Sequence, residues 1–213
     1  MLAKQNPEME SMIYLPYADW LSTNDKFDEA QEAYKKAGRP DLSLRIIEFL
    51  TQNAITEKRF QDAAQYYWLL STESLRLVQT FDKKMTKEDR KHAHNFEEYM
   101  LLAEIYQAYN LIQKYVEDSY RGATITNPLI TEATFNAARF ISNSIGTRKP
   151  QGINQVFIYY TLSKNAYLFE AYKAARFGYE KLNSLKIPEQ WQEEIEVDAM
   201  KIKTKPNSDR EGF

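Results

Sequence analysis

The chain has 213 residues, a formal net charge of −2 and no cysteine, with 43% hydrophobic and 27% charged residues. This balance suits a folded soluble protein, is too apolar for a disordered one, and gives no long-range pull towards phosphate backbones. The missing cysteines exclude disulfides, thiolate metal ligands and Cys nucleophiles, and they fit a reducing compartment.

With only six glycines and seven prolines, the composition favours helices over sheet. Asn6-Pro7-Glu8 is a helix-start signal, a cap followed by proline. A first helix is predicted from Pro7 to Ser22, with Tyr14, Tyr17, Ala18 and Leu21 on its apolar face. Asn24-Asp25 turns the chain, and Phe27 to Ala37 forms a partner helix stopped by Gly38 and Pro40. The next helix, Leu42 to Asn53, carries Ile46, Ile47 and Leu50, with Ala54 following. After a turn near Thr56, a further helix starts at Arg59 and runs through Leu75 and Val78 to about Phe81.

Asp82 to His94 is highly charged and reads as a long turn or a solvated helix start. Phe96 to about Val116 is helical again, with Leu102, Ala103, Ile105, Tyr106 and Tyr109 apolar. Ser119 to Asn127 is a loop, Leu129 to Ile145 a helix ended by Gly146, and Gly146 to Gly152 a second loop. Asn154 to Ala166 and Phe169 to Leu185 form a pair closed by Pro188. Gln190 to Met200 adds a short helix, and Lys201 to Phe213 reads as a charged tail. Val156 to Tyr160 has the propensity of a strand, but its place one hairpin ahead of a repeat signature assigns it to helix.

That signature is a recurring frame. Phe27-Ala30-Tyr34-Ala37 returns 33 residues later as Phe60-Ala63-Tyr67-Leu70, and Tyr172-Ala175-Tyr179-Leu182 keeps the same internal spacing. Steps of three and four place all four side chains on one helix face. The small residue admits a neighbouring helix while the aromatics close around it. Moving the apolar positions of the first helix by the same 33 gives Ile47, Leu50, Thr51 and Ala54, so both helices of the hairpin repeat. A period near ~34 is that of tetratricopeptide repeats. The fold class expected is all-α, an α-solenoid of tetratricopeptide-like helical hairpins. Residues 7–81 hold two such hairpins, 94–146 degenerate helical repeats, 152–200 a terminal hairpin plus a short helix, and 201–213 a charged tail.

No catalytic, cofactor-binding or metal site can be assembled from the sequence. His92 and His94 are two apart and sit in the charged segment as a solvated part of a basic loop. No Lys-Ser/Thr follows Gly146 to Gly152, so no phosphate loop is present. Glu193, Glu194 and Glu196 read as a solvated helix face, and Lys83 to Lys91 as an exposed loop. Most of the fifteen tyrosines fill packing positions of the repeat, while Tyr66, Tyr115 and Tyr120 are surplus and could line a partner surface. Repeat domains that clamp a C-terminal carboxylate need inner-face cations. The matching positions, Leu15, Asp19, Glu48 and Gln52, supply none.

The stretch Pro7-Glu8-Met9-Glu10-Ser11-Met12-Ile13-Tyr14-Leu15-Pro16-Tyr17-Ala18-Asp19-Trp20-Leu21 resembles the start of the C-terminal helical region of the intraflagellar transport protein 122 family. The likeness continues through Phe27 to Gln31, Lys36 to Arg39 and Asn53-Ala54, and is strong from Arg59 to Trp68. It returns at Ala103 to Tyr106, Phe135 to Phe140 and Ala171 to Arg176, and lapses from about Leu77 to Asn95. The resemblance implies a eukaryotic ciliary protein with WD40 propellers ahead of a helical solenoid and paired zinc motifs behind it. This chain has neither propellers nor cysteines, so it reads as a central fragment, and zinc binding does not carry over.

The resemblance further implies a non-enzymatic assembly segment of intraflagellar transport complex A, without a cofactor. Its partners would be other WD-repeat/tetratricopeptide subunits, and its location the cilium, the ciliary base and the cytoskeleton-associated cytoplasm. Nucleic acid and direct membrane insertion are not expected. A coat-like trafficking scaffold outside the cilium shares this construction, and a carboxylate-based hydrolase is the enzyme alternative.

Overall fold

The computed structural model describes residues 7–78, 85–120, 127–146 and 149–206, with side chains from Met9 onwards. Those residues contain nine α-helices and no strand. The helices are α1 (Pro7–Thr23), α2 (Phe27–Lys36), α3 (Pro40–Thr56), α4 (Phe60–Arg76), α5 (Lys87–Tyr120), α6 (Pro128–Ile145), α7 (Gln155–Leu168), α8 (Tyr172–Asn183) and α9 (Glu189–Lys203). The fold class is all-α, built of tetratricopeptide-like hairpins.

Two compact units divide within α5, Met1–Ala103 and Glu104–Phe213. In the first, α1 packs on α2, α2 on α3 and α3 on α4. Ala18, Leu21, Ala30, Ala33, Tyr34 and Ile46 form its leading core, with Leu15, Phe27, Leu42 and Leu50 against it. In the second unit α6 packs on α7, α7 on α8 and α8 on α9. Phe135, Ile141, Ile158, Leu182 and Ile195 are among its fully buried side chains. The alanine of each frame, Ala30, Ala63 and Ala175, has no exposed surface.

The repeat is also written in the backbone. Asp25, Lys58 and Glu170 are the described non-glycine residues at positive φ, at 59°, 60° and 59°. Each lies two residues before the first aromatic of a frame. At each turn the next amide reaches back across the joint, from Lys26 to the Leu21 carbonyl, Arg59 to Ala54, and Ala171 to Ala166, at 3.0, 2.8 and 2.8 Å. This left-handed residue closes the preceding helix and satisfies a carbonyl that would otherwise lack a partner. The three hairpins therefore share one turn geometry without using glycine.

Several boundaries differ from the sequence reading. α4 stops at Arg76, while the expected continuation to Phe81 runs into residues 79–84, outside those described. α5 starts at Lys87 and places His92 and His94 on a helix rather than in a loop. The signal was a capping box: the Thr86 backbone N–H donates to Asp89 Oδ2 at 3.1 Å, and the Asp89 N–H donates to Thr86 Oγ1 at 3.1 Å. α7 extends to Leu168 and α8 starts only at Tyr172. α9 passes Met200 to Lys203, a turn into the segment read as tail; residues 207–213 lie outside those described. Tyr17 was expected on the covered face of α1, yet it is exposed and stacks on Trp20, with ring centroids 6.3 Å apart.

Candidate interaction surfaces

The inner-helix positions of the first unit are engaged by the chain itself. Tyr34, from α2, donates its hydroxyl to Asp19 Oδ1 at 2.5 Å. Tyr99, from α5, donates to Glu48 Oε1 at 3.3 Å, and its ring lies 6.1 Å from that of Tyr67. Burial, and then the neighbouring carboxylate, push Tyr34 and Tyr99 up to about 12. Leu15 is half-buried against the core. Two carboxylates held by phenols make an acidic inner face, the opposite of a clamp for a C-terminal carboxylate.

The surplus tyrosines divide. Tyr115 donates its hydroxyl to Asn165 Oδ1 at 2.9 Å and so ties α5 to α7. Tyr66 is half-buried, and the side chain of Tyr120 lies outside the described residues. Of the acidic run on α9, Glu193 and Glu196 are exposed, whereas Glu194 pairs with Lys164. Burial pulls the Lys164 ammonium down, but its bonds to Glu194 and to the Tyr160 hydroxyl outweigh that and raise it overall. Tyr160 in turn stacks on Trp191, with centroids 4.6 Å apart and planes 16° from parallel. His94 Nε2 faces Glu98 Oε2 at 3.8 Å on the exposed side of α5. Among the described residues, no three metal-type side chains come together.

Two clefts remain. In the first unit one of about 420 Å³ is lined by Phe27, Leu42, Ile46 and Phe49 with Asp25 and Arg45. In the second, one of about 430 Å³ is walled by Val116, Phe157, Pro188 and Trp191, with Glu117 and Gln190 among its lining. The first is an open groove of mixed polarity and the second a mainly apolar one. Neither brings a nucleophile to a base.

Residues 1–157 match the profile described as the IFT122 TPR domain. The chain is 40% identical over 210 residues to the intraflagellar transport protein 122 homolog of Homo sapiens, covering 99% of this chain and 16% of that one. It is 37% identical to the Danio rerio homolog and 39% to that of Mus musculus, covering 99% of this chain and 17% of each relative. The chain belongs to the intraflagellar transport protein 122 family. It spans about one sixth of the length of these relatives.

The stretches that carry the family likeness serve the packing. Arg59 to Trp68 forms the turn and first half of α4, where Phe60, Ala63 and Ala64 are buried. In this family segment Arg59 bridges Glu57 and Asp62 on either side of the turn. Ala171 to Arg176 opens α8, and its Arg176 Nη2 donates to the carbonyls of Ile202, Lys205 and Pro206 at 3.2, 2.6 and 3.0 Å. A cation there meets the negative end of α9. Asn165 is fully buried and donates to the Thr131 carbonyl at 3.3 Å and Thr134 Oγ1 at 2.9 Å, joining α6 to α7. No local pattern announces Asn165 or Arg176, because their partners are 26 to 50 residues distant.

No helix among the described residues is long and apolar enough to cross a membrane.

Proposed function

We propose that the chain is a non-enzymatic scaffold segment of intraflagellar transport complex A. It supports retrograde ciliary transport and ciliary entry of membrane proteins through subunit–subunit contacts. What carries this reading is a family membership covering 99% of the chain, on a fold whose charged groups pair with one another around the hairpins. Lys35 of α2 and Arg76 of α4, for example, share Glu73. Such groups hold hairpins together and leave helix faces and open grooves free for large, shallow contacts.

The partners are other WD-repeat/tetratricopeptide subunits of the complex, without nucleic acid, membrane insertion or a cofactor. The working location is the cilium and its base, with cytoskeleton-associated cytoplasm. The segment is organised as the hairpins α1–α2 and α3–α4, the degenerate repeats of α5 and α6, and the terminal hairpin α7–α8 with α9.

Co-purification from ciliated cells tests this. Recovery of complex A subunits with the protein carrying this segment supports it. Recovery of vesicle-coat subunits with no complex A subunit overturns it in favour of a coat-like scaffold.

A further inference from the structure

The second unit holds a cation on an aromatic face and leaves a similar place open beside it. Trp191, in the first turn of α9, stacks on Tyr160 and tilts against Phe157, with ring centroids 4.6 and 5.7 Å apart. Phe157 and Tyr160 are three apart on α7, so the three rings form one group. On the Tyr160 side that group is occupied. The Lys164 ammonium lies 5.1 Å from the Tyr160 ring centroid, donates to the Tyr160 hydroxyl at 3.0 Å and pairs with Glu194. An aromatic face beside a carboxylate is a place that attracts a cation.

The Phe157 side offers the same chemistry. Here lies the cleft of about 430 Å³, walled by Val116, Phe157, Pro188 and Trp191, with Glu117 of α5 also lining it. Glu117 is exposed and accepts a hydrogen bond from Gln113 at 2.6 Å. Among the described residues no Lys or Arg lines this cleft. The positive ends of α7 and α9 open nearby, but both are already answered. The Asn154 side chain accepts from the Val156 N–H at 3.0 Å, and Glu189 stands in the first turn of α9. The charge offered to a visitor is therefore that of Glu117.

We propose that this cleft binds an arginine side chain of a partner protein. The guanidinium meets the Phe157 and Trp191 rings and the Glu117 carboxylate, and the methylene stem runs along Val116 and Pro188. Charge complementarity selects a basic side chain, and the aromatic walls select arginine over lysine. A planar, weakly hydrated guanidinium stacks on a ring and still forks onto a carboxylate, which a strongly hydrated ammonium does less well. Binding of this kind is a property of the second unit alone and holds whichever complex the segment serves.

The tryptophans make the test direct. Trp20 and Trp68 belong to the first unit and Trp191 lines the cleft, so one of three indole N–H signals from the isotope-labelled 213-residue chain reports on it. Trp191→Phe assigns that signal by removing it. The end-blocked peptide Ala-Leu-Arg-Leu-Ala, titrated into the millimolar range, should move the Trp191 signal to saturation and leave those of Trp20 and Trp68 in place. The same peptide with norleucine for arginine should bind roughly fivefold or more weakly, and with glutamate for arginine it should not bind. Glu117→Gln should weaken the arginine peptide by roughly two- to fivefold while leaving the melting temperature unchanged. Equal binding of the norleucine peptide overturns the proposal, because the cleft is then only apolar. A Trp191 signal that does not move, an arginine affinity indifferent to Glu117→Gln, or equal movement of Trp20 or Trp68 overturns it as well.

Discussion

Asp25 and Lys58 stand 33 residues apart in the same left-handed backbone conformation, at φ 59° and 60°. Both leave the helix before them in the same way and both precede an aromatic that starts the next. A tetratricopeptide-like hairpin is therefore defined here as much by its turn as by the residues that pack between its helices.

The turn makes the first prediction. An L-residue in this region costs about 1–2 kcal/mol, and a β-branched one is worse placed than a lysine. Lys58→Val should destabilise the chain by about 1–2 kcal/mol, and Lys58→Gly should leave it at least as stable as the parent. Urea midpoints read both. A valine variant equal to the parent would show that the joint does not need this conformation.

Ala63 of α4 has no exposed surface. Ala63→Trp should overpack the second hairpin and cost at least about 1–3 kcal/mol. An unchanged melting temperature would mean that the alanine of the frame does not face a helix.

α8 lies close against α7 at Gly178, where an added Cβ would lie 2.2 Å from Ser163 Oγ. Ser163 is fully buried, and its hydroxyl donates to the Tyr159 carbonyl at 2.7 Å, so it cannot swing away freely. Gly178→Ala should cost about 1–3 kcal/mol. In a Ser163→Ala background the same change should cost less, since the closest atom is gone. Additive effects in this double-mutant cycle would place the strain elsewhere.

Much of this architecture is legible in the sequence because it is local. Phe27, Ala30 and Tyr34 announce a helix face by spacing alone, and the shift of 33 carries the face and its turn onto Phe60, Ala63 and Tyr67. Asp82 to His94 reads equally as a long turn or a solvated helix start because its charges hide any apolar period, and the capping pair Thr86 and Asp89 decides for a helix from Lys87. Tyr17 looks like a core residue because amphipathic spacing says which face is apolar, not whether another helix covers it. Tyr115 looks like a spare aromatic because its partner, Asn165, is 50 residues away and lies in a run that reads as featureless apolar helix. The inner-face carboxylates were found by register, but their tyrosine donors become visible only once α2 and α5 are placed.

Asn165 gives a further test. Replacing it with leucine strands the Tyr115 hydroxyl and removes the tie to Thr131 and Thr134 in a fully buried site. The loss should be about 2–3 kcal/mol, measured by denaturant unfolding. A neutral substitution would show that packing alone joins α6 and α7.

The tyrosines also set an alkaline limit. Burial first, and then Asp19, raises Tyr34 to about 12, and burial raises Tyr109 to about 12. An unfolded tyrosine ionises near ~10, so above that pH the unfolded chain holds fewer protons than the folded one. Stability is fully present below about pH 10 and falls as pH rises from about 10 towards 12. Melting temperatures taken across that window should drop, and Tyr34→Phe should flatten the drop. A slope unchanged by the substitution would remove Tyr34 from the effect.

The central claim, that this segment works as a scaffold inside complex A, is tested most directly by cross-linking mass spectrometry of the native assembly captured from ciliated cells. Cross-links are expected from lysines of this segment, such as Lys58, Lys114 and Lys181, to WD-repeat/tetratricopeptide subunits of that complex. Cross-links confined to vesicle-coat subunits would contradict it.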